Sequence, residues 1–290
     1  MSQRPASAVA MRQALDHRLR NEASKRGTTF ERLRTKLMLE RLLARLFHAD
    51  DAPWLLKGGM AFELRYHPRA RSTRDVDLVM IARDSGSSPE LSLLAAIREA
   101  LQQAVRLDLG DFLQFTVGEA RKELQGPPGG GASFPVTARL ADKEFGRSQV
   151  DVGLGDALVG APEVLVGDDL LGFAGIGPAR VRAIGRPQQF AEKLHAYTYP
   201  WGERENRRVK DLVDMVLLVE RGALEEREVH EAARATFAAR ARQGLPTELA
   251  PPPASWRNEY ATLAADAGVL ARDVDAAFAL LVAYWASVIG

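Results

Sequence analysis

The stretch WLLKGGMAFELRYHPRARSTRDVDLVM, residues 54–80, places a lysine, a Gly-Gly pair and an Asp-x-Asp close together. Its first three apolar residues predict a short buried strand, and Gly58-Gly59 a tight turn that opens a short helix through about Tyr66. Backbone N–H groups at such a helix start point at an anion, and Lys57 stands beside them. A second strand is expected over about 73–80. Side chains alternate across a strand, so Val76, Leu78 and Met80 face the core while Asp75 and Asp77 share the other face. Two carboxylates at that spacing repel each other without a counter-ion, which is the physical reason to expect Mg²⁺ between them.

Strand, glycine turn, helix and Asp-x-Asp strand together resemble the nucleotidyltransferase fold. LKGGMAFEL followed by RSTRDVDL is similar to the opening of the AbiEii toxin family, the nucleotidyltransferase half of AbiE-like and MenT-like toxin–antitoxin pairs. The resemblance runs from about Arg12 through Leu218. It implies an α/β (α+β) chain with a nucleotidyltransferase-like mixed sheet core over 51–185, a helical N-terminal arm over 1–50 and a helical C-terminal domain over 186–290. One departure matters. Nucleotidyltransferases commonly open with Gly-Ser, whereas here Lys57 precedes Gly58-Gly59, so Ser72 or Thr73 is the candidate source of a hydroxyl.

At 290 residues, 46% apolar and 27% charged, the chain has ordinary globular composition and length enough for a sizeable core. It has no cysteine, which excludes disulfides, thiolate metal sites and cysteine catalysis. The five histidines lack metal-ligand spacing, which argues against zinc. No run reaches the roughly 18 apolar residues of a membrane span, and MSQRPASAVAMRQ has no signal-peptide core, so a cytoplasmic protein is expected. The net charge is +1, and residues 1–48 hold eleven Lys or Arg against four Asp or Glu. That local excess suits either solvated helix faces or a surface that tracks RNA phosphates. Helices are expected over about 8–20 and 29–47, with Thr28 and Glu31 forming a capping box.

Further along, periodicity predicts a helix over 91–105, opened by Ser87-Ser88-Pro89, and a strand over 112–117. QGPPGGGA, residues 125–132, reads as a flexible loop; it lacks the Lys-Ser/Thr of a P-loop. Residues 134–140 and 148–154 predict a hairpin turning near 142–146, with Asp151 opposite the inward Val150, Val152 and Leu154. Residues 157–181 give no clear helix and lead to a short strand over 181–184. Helices follow over 187–197, 206–220, 225–243 and 271–288, with a shorter one from Trp256.

The resemblance assigns roles within these elements. Asp151, in DVGLGD, would be the third carboxylate, holding the metal nearest the nucleophile. Lys193, in FAEKLHAY, matches the lysine expected to hold the triphosphate. Asn206, Arg208, Lys210, Asp211 and Asp214 resemble an N-x-R-x-K-D-x-x-D motif, in which Asp211 is implied as an active-site acid that either holds Lys193 or contacts the nucleotide. Read plainly, Lys210 and Asp214 form an i, i+4 ion pair; Asp156 shapes a turn, and Glu192 pairs with a nearby base. The phosphate-binding set would be Lys57, Gly58, Gly59, Ser72, Thr73, Lys193, Arg208 and Lys210, and the metal set Asp75, Asp77 and Asp151. The implied activity is Mg²⁺-dependent transfer of a nucleoside monophosphate, pyrimidine by preference, from an NTP to a hydroxyl at the tRNA 3′ end. A cognate antitoxin is the implied protein partner. Transfer to a protein hydroxyl, or a non-catalytic module that binds NTP or antitoxin, are the alternatives.

Overall fold

A computed structural model describes residues 5–66, 73–81, 90–123, 129–222 and 224–290. Its elements are, in order, α1 (Ala8–Arg26), α2 (Phe30–Leu46), β1 (Trp54–Lys57), α3 (Gly58–Tyr66), β2 (Asp75–Met80), α4 (Glu90–Val105), β3 (Gln114–Val117), β4 (Lys122–Glu123), β5 (Gly131–Leu140) and β6 (Lys143–Gly153). Then come β7 (Glu163–Val166), β8 (Arg180–Ala183), α5 (Arg186–Tyr197), α6 (Val209–Arg221), α7 (Glu226–Arg240), α8 (Arg257–Ala267) and α9 (Val274–Ile289). Among the described residues the strands form one mixed sheet in the order β3-β5-β6-β2-β1-β8-β7, with β4 paired to β5. The β1–β8 and β2–β6 pairs are parallel and the remaining pairs antiparallel.

Two apolar clusters hold this frame. One joins α1, α2 and α4 to a face of the sheet through Met11, Leu37, Val76, Phe134 and Val150; the other gathers α5 to α9 around Phe190, Leu212, Trp256 and Trp285. Helix α3 is wedged between them: Met60 and Ala61 belong to the first cluster and Phe62 to the second. Both faces of a nine-residue helix are therefore committed, so its N-terminus is fixed against β2. Alternation along β2 is as expected for Val76 and Leu78, both fully buried, while Val79 on the carboxylate side closes a small cluster with Leu55 and Ile184.

Several expected boundaries move, each for a local reason. The cap of α2 is Thr29, whose hydroxyl accepts from the Arg32 N–H at 3.2 Å. Thr28 is already engaged: Gly27 ends α1 in a left-handed conformation and the Thr28 N–H returns to the Ala23 carbonyl at 3.0 Å. Strand β6 begins at Lys143, five residues earlier than expected, because the hairpin turns at Ala141-Asp142 with φ of 52° and 58°. Gly146, read as a turn residue, instead lies where a Cβ would come within 2.6 Å of Met38 Sδ, so it lets α2 approach the sheet. Gly131 and Ala132 of the expected loop lie in β5, and residues 125–128 of it fall outside the described residues, as do Ser87-Ser88-Pro89. Strand β7 has no sequence signal, because its alternate residues Val164 and Val166 face solvent on a sheet edge.

Part of the N-terminal positive charge is consumed inside the protein, while Arg18, Arg20, Lys25 and Arg32 stay exposed. Arg41 and Arg45 are buried and grip the buried Asp111, at 2.8 Å through Arg41 Nε and 2.6 Å through Arg45 Nη2. Burial works to raise the Asp111 carboxyl, but the two guanidinium groups outweigh it and hold it below the usual carboxylate range. Lys36 lies 3.2 Å from Asp168, Arg26 also pairs with Asp168, and Arg18 covers the Phe173 ring at 4.1 Å. These cations neutralise internal carboxylates and pack on rings.

The two-residue hairpin turn makes a checkable demand. Both central positions are left-handed, and such turns favour Asn-Gly, so the double substitution Ala141→Asn and Asp142→Gly is expected to stabilise the protein by roughly 1 kcal/mol. A melting temperature unchanged or lowered in the double variant would contradict this.

Candidate active site

Sheet register builds the site. Lys57 on β1 is opposite Asp77 on β2, Asp77 is opposite Asp151 on β6, and Asp151 is opposite Ser133 on β5. Paired residues in adjacent strands lie about 5 Å apart with side chains on the same face, so a lysine, two aspartates and a serine form one row across four strands. Asp75 stands two residues before Asp77, opposite Gln149. The row borders a cleft of about 430 Å³ lined also by Gly58, Gly59 and Thr73, by Glu192 and Lys193 of α5, by Arg207, Arg208, Lys210 and Asp211, and by Arg240. A larger cleft of about 690 Å³ beside β7 and β8 has Asp50 as its one acidic liner and no comparable row.

The carboxylates are held under electrostatic tension. Burial raises the Asp77 carboxyl above its ordinary range; Lys57 and Lys193 oppose the shift while Asp151 and Asp75 add to it. Asp75 is raised by burial and by Asp151, against Arg74 and Lys210. Asp151 accepts from Ser133 Oγ at 2.6 Å and Gln149 Nε2 at 2.8 Å, both on its Oδ1. Such a clustered set of hard oxygens, destabilised as anions, is what a divalent cation relieves. Among the described residues no three acidic or histidine side chains close around one point. Mg²⁺ does not require that, since it is commonly held by one or two carboxylates together with waters and substrate phosphates. The residues present fit the ion.

Lys57, Lys193 and Arg240 each have an acidic partner. Lys57 pairs with Asp156, and Asp156 Oδ1 also accepts from Arg240 Nη2 at 3.3 Å. Burial works to lower the Lys57 ammonium, yet Glu192 and Asp156 outweigh it and raise it. Lys193 Nζ lies 2.7 Å from Asp211 Oδ1 and 3.0 Å from Asp214 Oδ2. Asp156 is therefore a partner of the cleft cations, beyond its place in a turn, and Arg240 points into the cleft. Asp214 is 1% exposed and turned to Lys193, while Lys210 is exposed and its charge reaches Asp75. Glu192 has Arg240 as its base, at 3.9 Å.

The expected site residues thus converge: Asp75, Asp77, Asp151, Lys57, Gly58, Gly59, Thr73, Lys193, Arg208, Lys210 and Asp211 all line one cleft. Ser72 lies outside the described residues. Thr73 donates its N–H to Glu63 at 3.0 Å and its hydroxyl to the Asp75 carbonyl at 3.4 Å. Ser133, Gln149 and Gln189 were missed, and Asp156, Asp214 and Arg240 were read in other roles, as a turn residue, an ion-pair partner of Lys210 and a solvated or RNA-facing helix charge. Strand parity marks the first two, which share the Asp151 face; nothing local marks Arg240, the last residue of α7.

Gly58 is where backbone and chemistry meet. Its φ is +63°, a Cβ there would lie 1.9 Å from Asp77 Oδ2, and Gln189 Nε2 fixes its carbonyl at 3.0 Å. Gly58→Ala is expected to displace the Asp77 carboxylate, to lower turnover by about 100-fold, and to cost roughly 1–2 kcal/mol through the left-handed backbone. Wild-type kinetics in a folded Gly58→Ala protein would refute this geometry.

A mixed sheet with an Asp-x-Asp strand beside a lysine–glycine helix start defines a nucleotidyltransferase. The profile of the family described as nucleotidyl transferase AbiEii toxin, type IV toxin–antitoxin system, matches residues 41–280, and the chain belongs to that family. The match starts within α2 and continues through the C-terminal helices, beyond the Leu218 limit of the motif resemblance. Among solved structures, the nucleotidyltransferase toxin MenT4 from Mycobacterium tuberculosis H37Rv shares the fold at TM-score 0.62 and 17% identity, over 94% of this chain and 89% of that one. An antigenic nucleotidyltransferase-like protein from Paracoccidioides brasiliensis aligns at TM-score 0.39 and 15% identity, over 70% and 88%, too distantly to carry an argument. A search of curated proteins gives no match. No helix among the described residues is long and apolar enough to cross a membrane.

Proposed function

We propose that the cleft binds a nucleoside triphosphate with Mg²⁺ and transfers its nucleoside monophosphate, pyrimidine by preference, to the 3′-terminal hydroxyl of a tRNA in the cytoplasm. The observation that carries the reading is the row Lys57–Asp77–Asp151 across β1, β2 and β6 beside the start of α3. Asp75, Asp77 and Asp151 would hold the metal, which when bound lowers the pKa of the attacking hydroxyl and neutralises phosphate charge. The acceptor oxygen bonds to the α-phosphorus, the bridge to the β-phosphate breaks, pyrophosphate leaves and the hydroxyl proton passes to water. Lys57, Lys193 and Arg208 face the triphosphate, and the first N–H groups of α3 add a fixed partial positive charge. Asp211 and Asp214 orient Lys193, and Asp156 orients Lys57. Family membership favours a cognate antitoxin as the protein partner.

The test is incubation of the protein with each α-labelled NTP, Mg²⁺, total RNA and total protein. Label in tRNA, strongest with CTP or UTP, is expected. Label in polypeptide would favour a protein hydroxyl as acceptor, and no label in either would favour a non-catalytic module that binds NTP or antitoxin. One further variant separates binding from chemistry at the cleft floor. Asp156→Ala is expected to raise KM for NTP about 10-fold with a smaller change in kcat, because Lys57 loses the partner that aims it; an equal fall in kcat at unchanged KM would reject that orienting role.

A further inference from the structure

The segment 198–208 joins the two helices that bring Lys193 and Asp211 to the cleft, and it carries Tyr199, Trp201, Arg207 and Arg208. Tyr199 and Trp201 meet edge to face with ring centroids 5.1 Å apart, and the Arg208 guanidinium lies 5.5 Å from the Trp201 ring centroid. The segment is firmly built. Asn206 Nδ2 donates to the Tyr197 carbonyl at 2.9 Å, Asn206 Oδ1 accepts from the Arg208 N–H at 2.9 Å, and Trp256 Nε1 donates to the Asn206 carbonyl at 2.9 Å.

Packing accounts for the other tryptophans and leaves Trp201 unexplained. Trp54, Trp256 and Trp285 are buried, and the last two donate their indole N–H to backbone carbonyls, whereas Trp201 is partly buried and its N–H, itself buried, finds no acceptor among the described residues. Beside it Arg204, Arg207, Arg208 and Lys210 are exposed, against exposed Glu203 and Glu205, the latter bonded to Ser255. Aromatic rings flanked by arginines are the means by which proteins hold unpaired nucleotides, through stacking and phosphate contact.

We propose that Trp201, with Tyr199 and Arg208, is the platform on which the unpaired 3′-terminal base of the acceptor RNA stacks. The inference rests on the transferase reading given above and assigns its acceptor subsite. Arg207 and Arg208 line the NTP cleft, but Trp201 does not. Standing outside the lining of that cleft, the ring is assigned to the acceptor and not to the donor base. Arg208 links the two, one side toward Asp211 at 3.7 Å and the other toward the indole.

Because Trp201 is the one tryptophan of the four that is not buried, intrinsic fluorescence reports on it. A short single-stranded RNA oligonucleotide is expected to quench the wild-type emission, and Trp201→Phe is expected to abolish the quench while binding RNA within about threefold of wild type. Trp201→Ala is expected to weaken RNA binding by about 5- to 140-fold, the range set by loss of one base stack, and to raise KM for RNA with KM for NTP unchanged. A blunt RNA duplex is expected to give no quench. RNA that binds without quenching, wild-type RNA affinity in Trp201→Ala, or a KM shift confined to NTP would each overturn the proposal, as would loss of binding to a protein acceptor with RNA binding intact. The quench reads RNA binding without requiring turnover. Transfer to RNA with Trp201→Ala unimpaired would therefore sink the platform alone, while absence of transfer with Trp201-dependent RNA binding would sink the transferase reading alone.

Discussion

Asp77→Asn is expected to lower nucleotide transfer by at least about 1,000-fold while the protein stays folded. Asp77 is the central member of the row, with Lys57 on one side and Asp151 on the other, so its charge contributes to holding both a metal and the lysine that meets phosphate. Loss of one electrostatic donor in an acyl-transfer site typically costs 10²–10³ in kcat, and a residue that serves two roles at once is expected to exceed that. The effect on stability has the opposite sign. Burial and two neighbouring carboxylates raise the Asp77 carboxyl, so in metal-free protein the folded state binds the proton more tightly than the unfolded chain. Stability from this group is present at low pH and is lost as pH rises through its raised folded value. At neutral pH the ionised carboxylate is a burden that asparagine removes, and Lys57 keeps Asp156. Metal-free Asp77→Asn should therefore melt at or slightly above the wild-type temperature. A lowered melting temperature would reject the electrostatic account, and wild-type turnover would reject the role in the site.

How much of this was legible in the sequence depends on the range of the interaction. Strand parity and glycine turn chemistry are local rules, and from them the strand, turn, helix and Asp-x-Asp strand were readable, with Asp75 and Asp77 on one face. That β2 runs parallel to β6, bringing Asp151 opposite Asp77, is a tertiary fact; strand parity gave the face of Asp151, and its role entered through the likeness of DVGLGD to the family. The cations were misjudged for a related reason. The N-terminal cations were read together as solvated helix faces or an RNA-tracking surface, yet Asp111 and Asp168, far along the chain, draw Lys36, Arg41 and Arg45 into the interior. Asp156 and Arg240 meet across an 84-residue separation, and no spacing rule connects them. Where a glycine served packing, as Gly146 does against Met38, turn chemistry gave the wrong place for the hairpin.

The second large effect is expected at Lys193, and it separates what the ammonium does for folding from what it does for chemistry. Lys193 is 14% exposed and lies between Asp211 and Asp214, whose side chains are 7% and 2% exposed. Replacing it by alanine leaves two buried carboxylates of helix α6 without that cation, and breaking a buried pair by removing one partner costs about 3–5 kcal/mol. Lys193→Ala should therefore lower the melting temperature sharply as well as raise KM for NTP and lower kcat, since a cation facing the leaving pyrophosphate is lost. The double variant Lys193→Ala with Asp214→Asn removes the more deeply buried of the two charges. It is expected to recover much of the lost stability and none of the turnover. Recovery of both together would mean that Lys193 acts only by keeping α6 in place; a single variant as stable as wild type would mean that Asp211 and Asp214 do not depend on it, and that its ammonium is held for substrate alone.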